Sequence, residues 1–176
     1  MNVFDSTVAA ISTPFGKGGI AVIRISGDDA VKIAQKVFVP RNKKPLSECE
    51  KNVVFGDIYS EGKIIDTGIA TVFYAPHSYT GENTVEISCH GGILLTKTVL
   101  ESVLASGAQM AGPGEFTRRA FTNGKISLSA AEAVGLAIEA QTDEQLKLAA
   151  ASSRGVLSKE CGKIAEMLKS LISSVY

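Results

Sequence analysis

The chain has 176 residues, of which 18 are basic and 18 acidic, so its formal net charge is zero; 45% of the residues are hydrophobic and 20% charged. These proportions are those of a globular protein and exclude a disordered charged tail, a collagen-like repeat and a low-complexity segment. Without a global excess of positive charge, a stand-alone nucleic-acid-binding domain is also a poor reading.

Residues 7–11 and 19–26 read as strands, separated by Gly16, Gly18 and Gly19, which supply the backbone freedom of a turn. A helix is predicted from about Asp28 to Phe38. The two aspartates suit its positive N-terminal end, and Val31, Ala34 and Phe38 space an apolar face. Residues 40–51 are polar and loop-like. Val53–Tyr59 and Ile64–Tyr74 predict a hairpin around Glu61-Gly62. Asn83–Cys89 alternates, with Val85, Ile87 and Cys89 on one face and Thr84, Glu86 and Ser88 on the other. Gly91-Gly92 then leads into a helix ending near Ala105. Interleaved strands and helices without strict alternation fit an α+β fold.

After Gly114 the character becomes helical. Glu115–Phe121 predicts a short helix and Asn123-Gly124 a turn. Ser129 with Glu132, and Thr142 with Gln145, have the spacing of capping boxes, in which side chains satisfy the free N–H groups of a helix start. The first box opens a helix over about 130–141. From Thr142 to Tyr176 one continuous helix of about 50 Å is predicted. Leu146, Ala150, Ser153, Leu157, Cys161, Ile164, Leu168, Leu171 and Val175 form its apolar stripe, and Gly155 and Gly162 weaken it. The stripe needs a covering helix. Either a second copy supplies it, or the chain is a fragment whose missing part does; the fragment is the preferred expectation.

Arg24 interrupts the apolar strand Ile20–Ile25, and Glu86 occupies a matching place in Thr84–Ile87. A charge there is costly to bury unless paired. The two are either a structural or solvent-face pair, or the polar floor of a ligand pocket. Arg118, Arg119 and Lys125 form a small basic cluster, read as a solvated helix face or as an anion-capturing group. His90, beside Gly91-Gly92, fits a surface or capping role. A dyad with Cys89 is disfavoured because neighbours on a strand point to opposite faces, and Cys89 reads as a small buried hydrophobe. Gly16-Lys17-Gly18-Gly19 is not a P-loop, and neither G-x-x-x-x-G-K-S/T nor G-x-G-x-x-G occurs in the chain. Cys49, Cys89 and Cys161 are odd in number and contain no C-x-x-C pair, so neither a structural metal site nor a disulfide framework is expected. No apolar run of about 18 residues and no signal-peptide pattern occur, so no membrane association is expected and the cytoplasm is the default compartment.

Three groups of segments together resemble the N-terminal part of the MnmE (TrmE) family of tRNA modification GTPases. The first is Ala10–Pro14, Gly18–Ile20 and Ile23–Gly27. The second is Ser78-Tyr79-Thr80-Gly81-Glu82, Val85–Ile87 and Cys89–Gly92. The third is Pro113–Thr117, Arg119–Phe121, Asn123–Lys125 and Ala131–Val134. They occur in the family's order and spacing. Phe15, Asn83, Ser127 and Ala130 depart from residues common in the family.

The resemblance implies a small mixed-sheet domain similar to tetrahydrofolate-binding domains, over residues 1–118, and the beginning of a central helical domain, over 119–176. It implies homodimerisation by the first domain and binding of 5-formyl-tetrahydrofolate, the presumed one-carbon donor, through Arg24, Glu86 and Lys125. No residue is carried over as catalytic. For the full-length family it implies a potassium- and magnesium-dependent GTPase domain, a C-terminal Cys-x-Gly-Lys motif, the partner MnmG and modification of the tRNA wobble uridine. Neither the nucleotide domain nor that motif is expected in this chain, which should not bind or hydrolyse GTP. The alternatives are a stand-alone folate-dependent one-carbon transferase, with His90 or Glu86 as acid or base, and a pure dimerisation module.

Overall fold

A computed structural model describes residues 6–48 and 53–175, with the side chains of 156–160, 174 and 175 outside that description. Cys49 therefore lies outside the described residues, as do the side chains of Leu157 and Val175 in the expected stripe. The chain divides into two compact units that part between Phe116 and Thr117.

The first unit is built on a seven-stranded mixed sheet. In chain order its strands are β1 (Val8–Ile11), β2 (Ile20–Ser26), β3 (Phe38–Pro40), β4 (Val53–Ser60), β5 (Lys63–Phe73), β6 (Thr84–His90) and β7 (Gln109–Met110), with the helices α1 (Ala30–Val37) and α2 (Ile93–Ala105). The spatial order is β3-β4-β5-β6-β2-β1-β7. All neighbours are antiparallel except β1 and β7, which run parallel. The α+β reading of the sequence is the fold observed.

One face of the sheet carries the core. Ile23 and Ile25 of β2, Ala70 and Val72 of β5, and Val85, Ile87 and Cys89 of β6 pack in one buried cluster with Ile33 and Val37 of α1 and Val99 and Val103 of α2. Each fully buried Ile or Val stabilises the fold by about 1.5–3 kcal/mol. An isolated buried guanidinium or carboxylate would cost more than one such residue contributes. A one-residue slip of β2 or β6 would exchange the two sets, so the pattern fixes the register that leaves Arg24 and Glu86 on the other face.

The β4–β5 hairpin turns at Glu61-Gly62, where φ is +49° and +75°. Two successive positive φ values in a two-residue connection match the strands' right-handed twist. Other local expectations change. Phe38 begins β3 instead of ending α1. The polar loop contains one 3-10 turn, Leu46–Glu48, whose Leu46 is buried. β7 was not foreseen, because two exposed residues carry no periodic signal.

The second unit is helical. The division falls within α3 (Glu115–Thr122), and α4 (Leu128–Glu139), α5 (Asp143–Ser153) and α6 (Val156–Val175) follow. The Thr142–Gln145 capping box is present in both directions, with Gln145 N–H donating to Thr142 Oγ1 and Thr142 N–H to Gln145 Oε1, each at 3.2 Å. The Ser129–Glu132 box is not. The N-cap is Ser127, whose Oγ accepts from Ala130 N–H at 3.2 Å, and the Ser129 hydroxyl pairs with Ser127 instead. The continuous helix after Thr142 is also corrected. Gly155 has φ +68° and ends α5, with its N–H donating to Ser152 O. A left-handed residue cannot continue an α-helix, so this glycine is a stop signal where the periodicity suggested only a weak point. The expected stripe is split: Leu146 and Ala150 lie on α5, and Cys161, Ile164, Leu168 and Leu171 are exposed on α6.

Candidate ligand-binding site

Arg24 and Glu86 are directly opposite one another in the β2–β6 ladder, on the face turned away from α1 and α2. Arg24 Nε donates to Glu86 Oε1 at 2.8 Å, and Arg24 Nη2 approaches the same oxygen at 2.7 Å. Both nitrogens face one carboxylate oxygen and leave Oε2 open. The common fork, one nitrogen to each oxygen, is not formed. About a quarter of each side chain is exposed (24% and 26%), enough for a ligand to reach. Small neighbours flank the pair: Ala10 lies opposite Arg24 on β1, and Thr71 opposite Glu86 on β5.

Two aromatic rings hold the guanidinium. Its central carbon lies 5.4 Å from the Tyr79 ring centroid and 5.3 Å from that of Phe116, within the range of a cation–π attraction. Tyr79 comes from the loop between β5 and β6, and Phe116 from the first turn of α3. The loop is tied down by a buried polar row that continues the same sheet face. Ser26 Oγ, two residues from Arg24, pairs with Thr80 Oγ1 at 2.7 Å and with Glu82 Oε2 at 2.7 Å, and Thr84 Oγ1 adjoins both hydroxyls. Ser26, Thr80 and Thr84 are essentially inaccessible. Among the described residues no buried side-chain nitrogen or oxygen lacks a partner.

Lys125 belongs to the second unit. Its backbone N–H donates to Ala120 O at 2.8 Å, closing the end of α3 after Gly124 at φ +69°. The structure thus brings Arg24 and Glu86 together within the first unit; the Lys125 backbone closes the end of α3 in the second. Of the basic cluster, Arg119 is not on a solvated face: it is 1% exposed and among the largest fully buried side chains. A guanidinium tolerates this only with its donors satisfied.

His90, at the end of β6, has a partner the sequence reading did not name. Asp66 accepts its backbone N–H at 2.9 Å and its ring Nδ1 at 2.8 Å. Burial pushes the Asp66 carboxyl up, but the bonds from His90 and from the Thr67 N–H outweigh it, so its pKa lies below the ordinary value. Cys89 faces the core, and burial, with the nearby Asp66 charge, pushes its thiol up. The Gly16–Gly19 loop clasps the start of α2. Gly18 N–H donates to Gly91 O at 2.9 Å, and a Cβ on Gly91 would lie 2.6 Å from Gly18 O. These glycines serve a close approach of two backbones. Among the described residues no His, Cys, Asp and Glu side chains gather as a metal site, and no helix is long and apolar enough to cross a membrane.

Tyr79, Glu82 and Phe116 had no role assigned from sequence, although all three stand in the segments that carry the family resemblance. Their signal was two aromatics and an acid in polar, glycine-containing stretches where a core would not require them.

Fold and site define an α+β domain that presents an ion pair on the open face of a mixed sheet and continues into a helical segment. The chain belongs to the family described as GTP-binding protein TrmE N-terminus, whose model matches residues 7–125. It is 46% identical over 172 residues to the tRNA modification GTPase MnmE of Symbiobacterium thermophilum, covering 96% of this chain and 37% of that protein. Identity is 43% over 176 residues to the MnmE of Carboxydothermus hydrogenoformans, and 45% over 173 residues to that of Caldicellulosiruptor saccharolyticus. These matches cover 98% of this chain and 38% of each relative. The chain therefore spans little more than a third of the length of these relatives.

Proposed function

We propose that this chain is the folate-binding and dimer-forming portion of a tRNA wobble-uridine modification GTPase. In this reading residues 1–118 form the folate-binding and dimerisation domain and 119–176 open a central helical domain. The observation that carries it is Glu86 Oε2. A carboxylate oxygen left open beside a fixed guanidinium is an acceptor for a planar donor edge, such as the ring N–H and amino group of a reduced pterin. In this reading Glu86 accepts from the pterin of 5-formyl-tetrahydrofolate and Arg24 supplies a cation for a ligand carbonyl or the glutamate carboxylates, and Lys125, by the family resemblance, supplies another. Bound there, the ligand would supply a one-carbon unit.

The same open face supports homodimerisation. Ile20, Val53, Phe55 and Ile69 are 68%, 56%, 53% and 42% exposed, an apolar surface of the kind that marks an interface. GTP, potassium and magnesium would be handled by the remainder of a full-length protein, which with MnmG would act on tRNA in the cytoplasm.

Calorimetric titration with 5-formyl-tetrahydrofolate tests the first half. A saturable heat is expected, weakened about tenfold or more by Glu86→Ala or Arg24→Ala, a loss of about 1.4 kcal/mol per factor of ten. No heat from the unsubstituted chain, or unchanged affinity in both variants, removes the pocket. Sedimentation across a concentration series tests the second half. A dimer that binds no folate would reduce the chain to a dimerisation module, and transfer of a formyl or methylene group by the chain alone would make it a transferase.

A further inference from the structure

Around the pair, the rings of Tyr79 and Phe116 have a more specific role than packing. An arginine meeting a carboxylate in the open ordinarily settles into the fork, two parallel N–H···O bonds to two oxygens, because this uses both acceptors. Arg24 does not. Its Nε and Nη2 both address Oε1 of Glu86, at 2.8 and 2.7 Å. Two constraints fix this geometry. The aliphatic stem is set by β2, opposite Glu86 in the ladder. The guanidinium is set by the two rings, at 5.4 and 5.3 Å from its central carbon. The Tyr79 ring is in turn set by its loop, which Ser26 anchors through Thr80 and Glu82.

We propose that Tyr79 and Phe116 are positioning residues for the ligand site: by clamping Arg24 they prevent the fork and so keep Glu86 Oε2 available to a planar heterocycle that presents adjacent N–H donors. This rests on the reading that Glu86 receives the ligand's donor edge, but the clamp itself has a test independent of any ligand. Specificity follows from it. A fork would occupy a lone pair on each Glu86 oxygen and bring the guanidinium alongside Oε2, crowding a ligand's approach to it. The clamped pair instead presents one acceptor next to a fixed cation, complementary to a ring whose donor edge adjoins a carbonyl.

The experiment is a double-mutant cycle with 5-formyl-tetrahydrofolate as the probe, using Tyr79→Leu, Glu86→Gln and the double variant. Thermal unfolding of each variant verifies the fold. Tyr79→Leu is expected to weaken binding about tenfold, and Tyr79→Phe, which keeps the ring, to restore it. In the Glu86→Gln background the further loss from Tyr79→Leu should fall below about twofold, because the oxygen it protects is gone. Independent, additive losses would overturn the proposal, as would wild-type affinity in Tyr79→Leu while Glu86→Ala abolishes binding; the second result leaves the folate reading standing. If the unsubstituted chain binds no folate, the folate reading fails and the clamp is decided by a crystal structure of the Tyr79→Leu, Phe116→Leu variant. Arg24 bonded to both Glu86 oxygens supports it, and an unchanged convergence on Oε1 overturns it.

Discussion

Asp66 receives two hydrogen bonds from one residue, His90, through its backbone N–H and its ring Nδ1. The carboxylate is 10% exposed and the imidazole 70%, so a nearly buried charge orients an accessible ring. The consequence for pH can be signed. The folded-state pKa of Asp66 is lowered, so the folded state binds fewer protons than the unfolded one in the acid range. This stabilisation is fully present above the ordinary carboxylate value of 3.8 and is lost as pH falls through the lower folded value. Urea denaturation of Asp66→Asn at pH 7 should show a loss of about 1–2 kcal/mol. The difference from the unsubstituted chain should shrink as the pH is taken below about 4. A constant difference across that range would mean that the charge is not what matters.

Cys89 and Cys161 should react differently with a thiol reagent. Cys161 is exposed and Cys89 buried. Burial raises the Cys89 thiol, Asp66 adds to it, and Thr96 and the Cys89 backbone oppose it. The nucleophile is the thiolate, so Cys161 should be labelled first at pH 8, and Cys89 only at the rate of local opening. Peptide mass mapping of a labelling time course checks this. Because the folded thiol is raised, its stabilisation is complete below the ordinary value of 9.0 and falls as pH rises beyond it.

The two glycines of the C-terminal helices should respond to alanine with opposite signs. Gly155 sits at φ +68° with open space around it, so Gly155→Ala costs only the backbone strain, about 1 kcal/mol. Gly162 lies inside α6, has no positive φ and also has room for a Cβ, so Gly162→Ala should stabilise by up to about 1 kcal/mol. Chemical denaturation of both variants decides between a break at Gly155 and a continuous helix, which would make both changes stabilising.

Gly91→Ala should be worse than either. Its Cβ would stand 2.6 Å from Gly18 O and 2.7 Å from the Gly18 carbonyl carbon, which are backbone atoms that no rotamer change can move aside. A loss of about 2 kcal/mol or more is expected, because the two loops must separate. A shift of the denaturation midpoint smaller than that of Gly155→Ala would contradict the described clasp.

What the sequence made legible follows from how far each signal reaches. Arg24 announced itself because a charge in Ile20–Ile25 breaks a local period, and Glu86 breaks a matching one; strand pairing then had to set them opposite or apart. The core set Val85, Ile87, Cys89 was equally local. Tyr79 and Phe116 were not legible as partners of Arg24, since 55 and 92 positions separate them from it, Tyr79 in a loop and Phe116 at the start of a short helix. Asp66 was hidden for the same reason, inside a strand that reads correctly without it. Ser127 outcompeted Ser129 as the cap although only Ser129 has a glutamate three residues on, because the path of the chain into α4, which the spacing rule does not see, decides between them. Gly155 was seen as a weak point, but periodicity does not distinguish a glycine that weakens a helix from one that ends it.

β6 has a consequence for how this protein tolerates change. Val85, Ile87 and Cys89 are sealed in the core, while Glu86 and Ser88 look outward from the same seven-residue strand. Failure here therefore comes in two kinds one residue apart. A truncation at 85 or 87 should yield a protein that is scarce because it unfolds, with whatever remains folded still competent. A change at 86 should yield a protein that is abundant, well folded and, on the proposed function, unable to take its ligand. Abundance and occupancy are separable readouts, and along this strand they should alternate letter by letter.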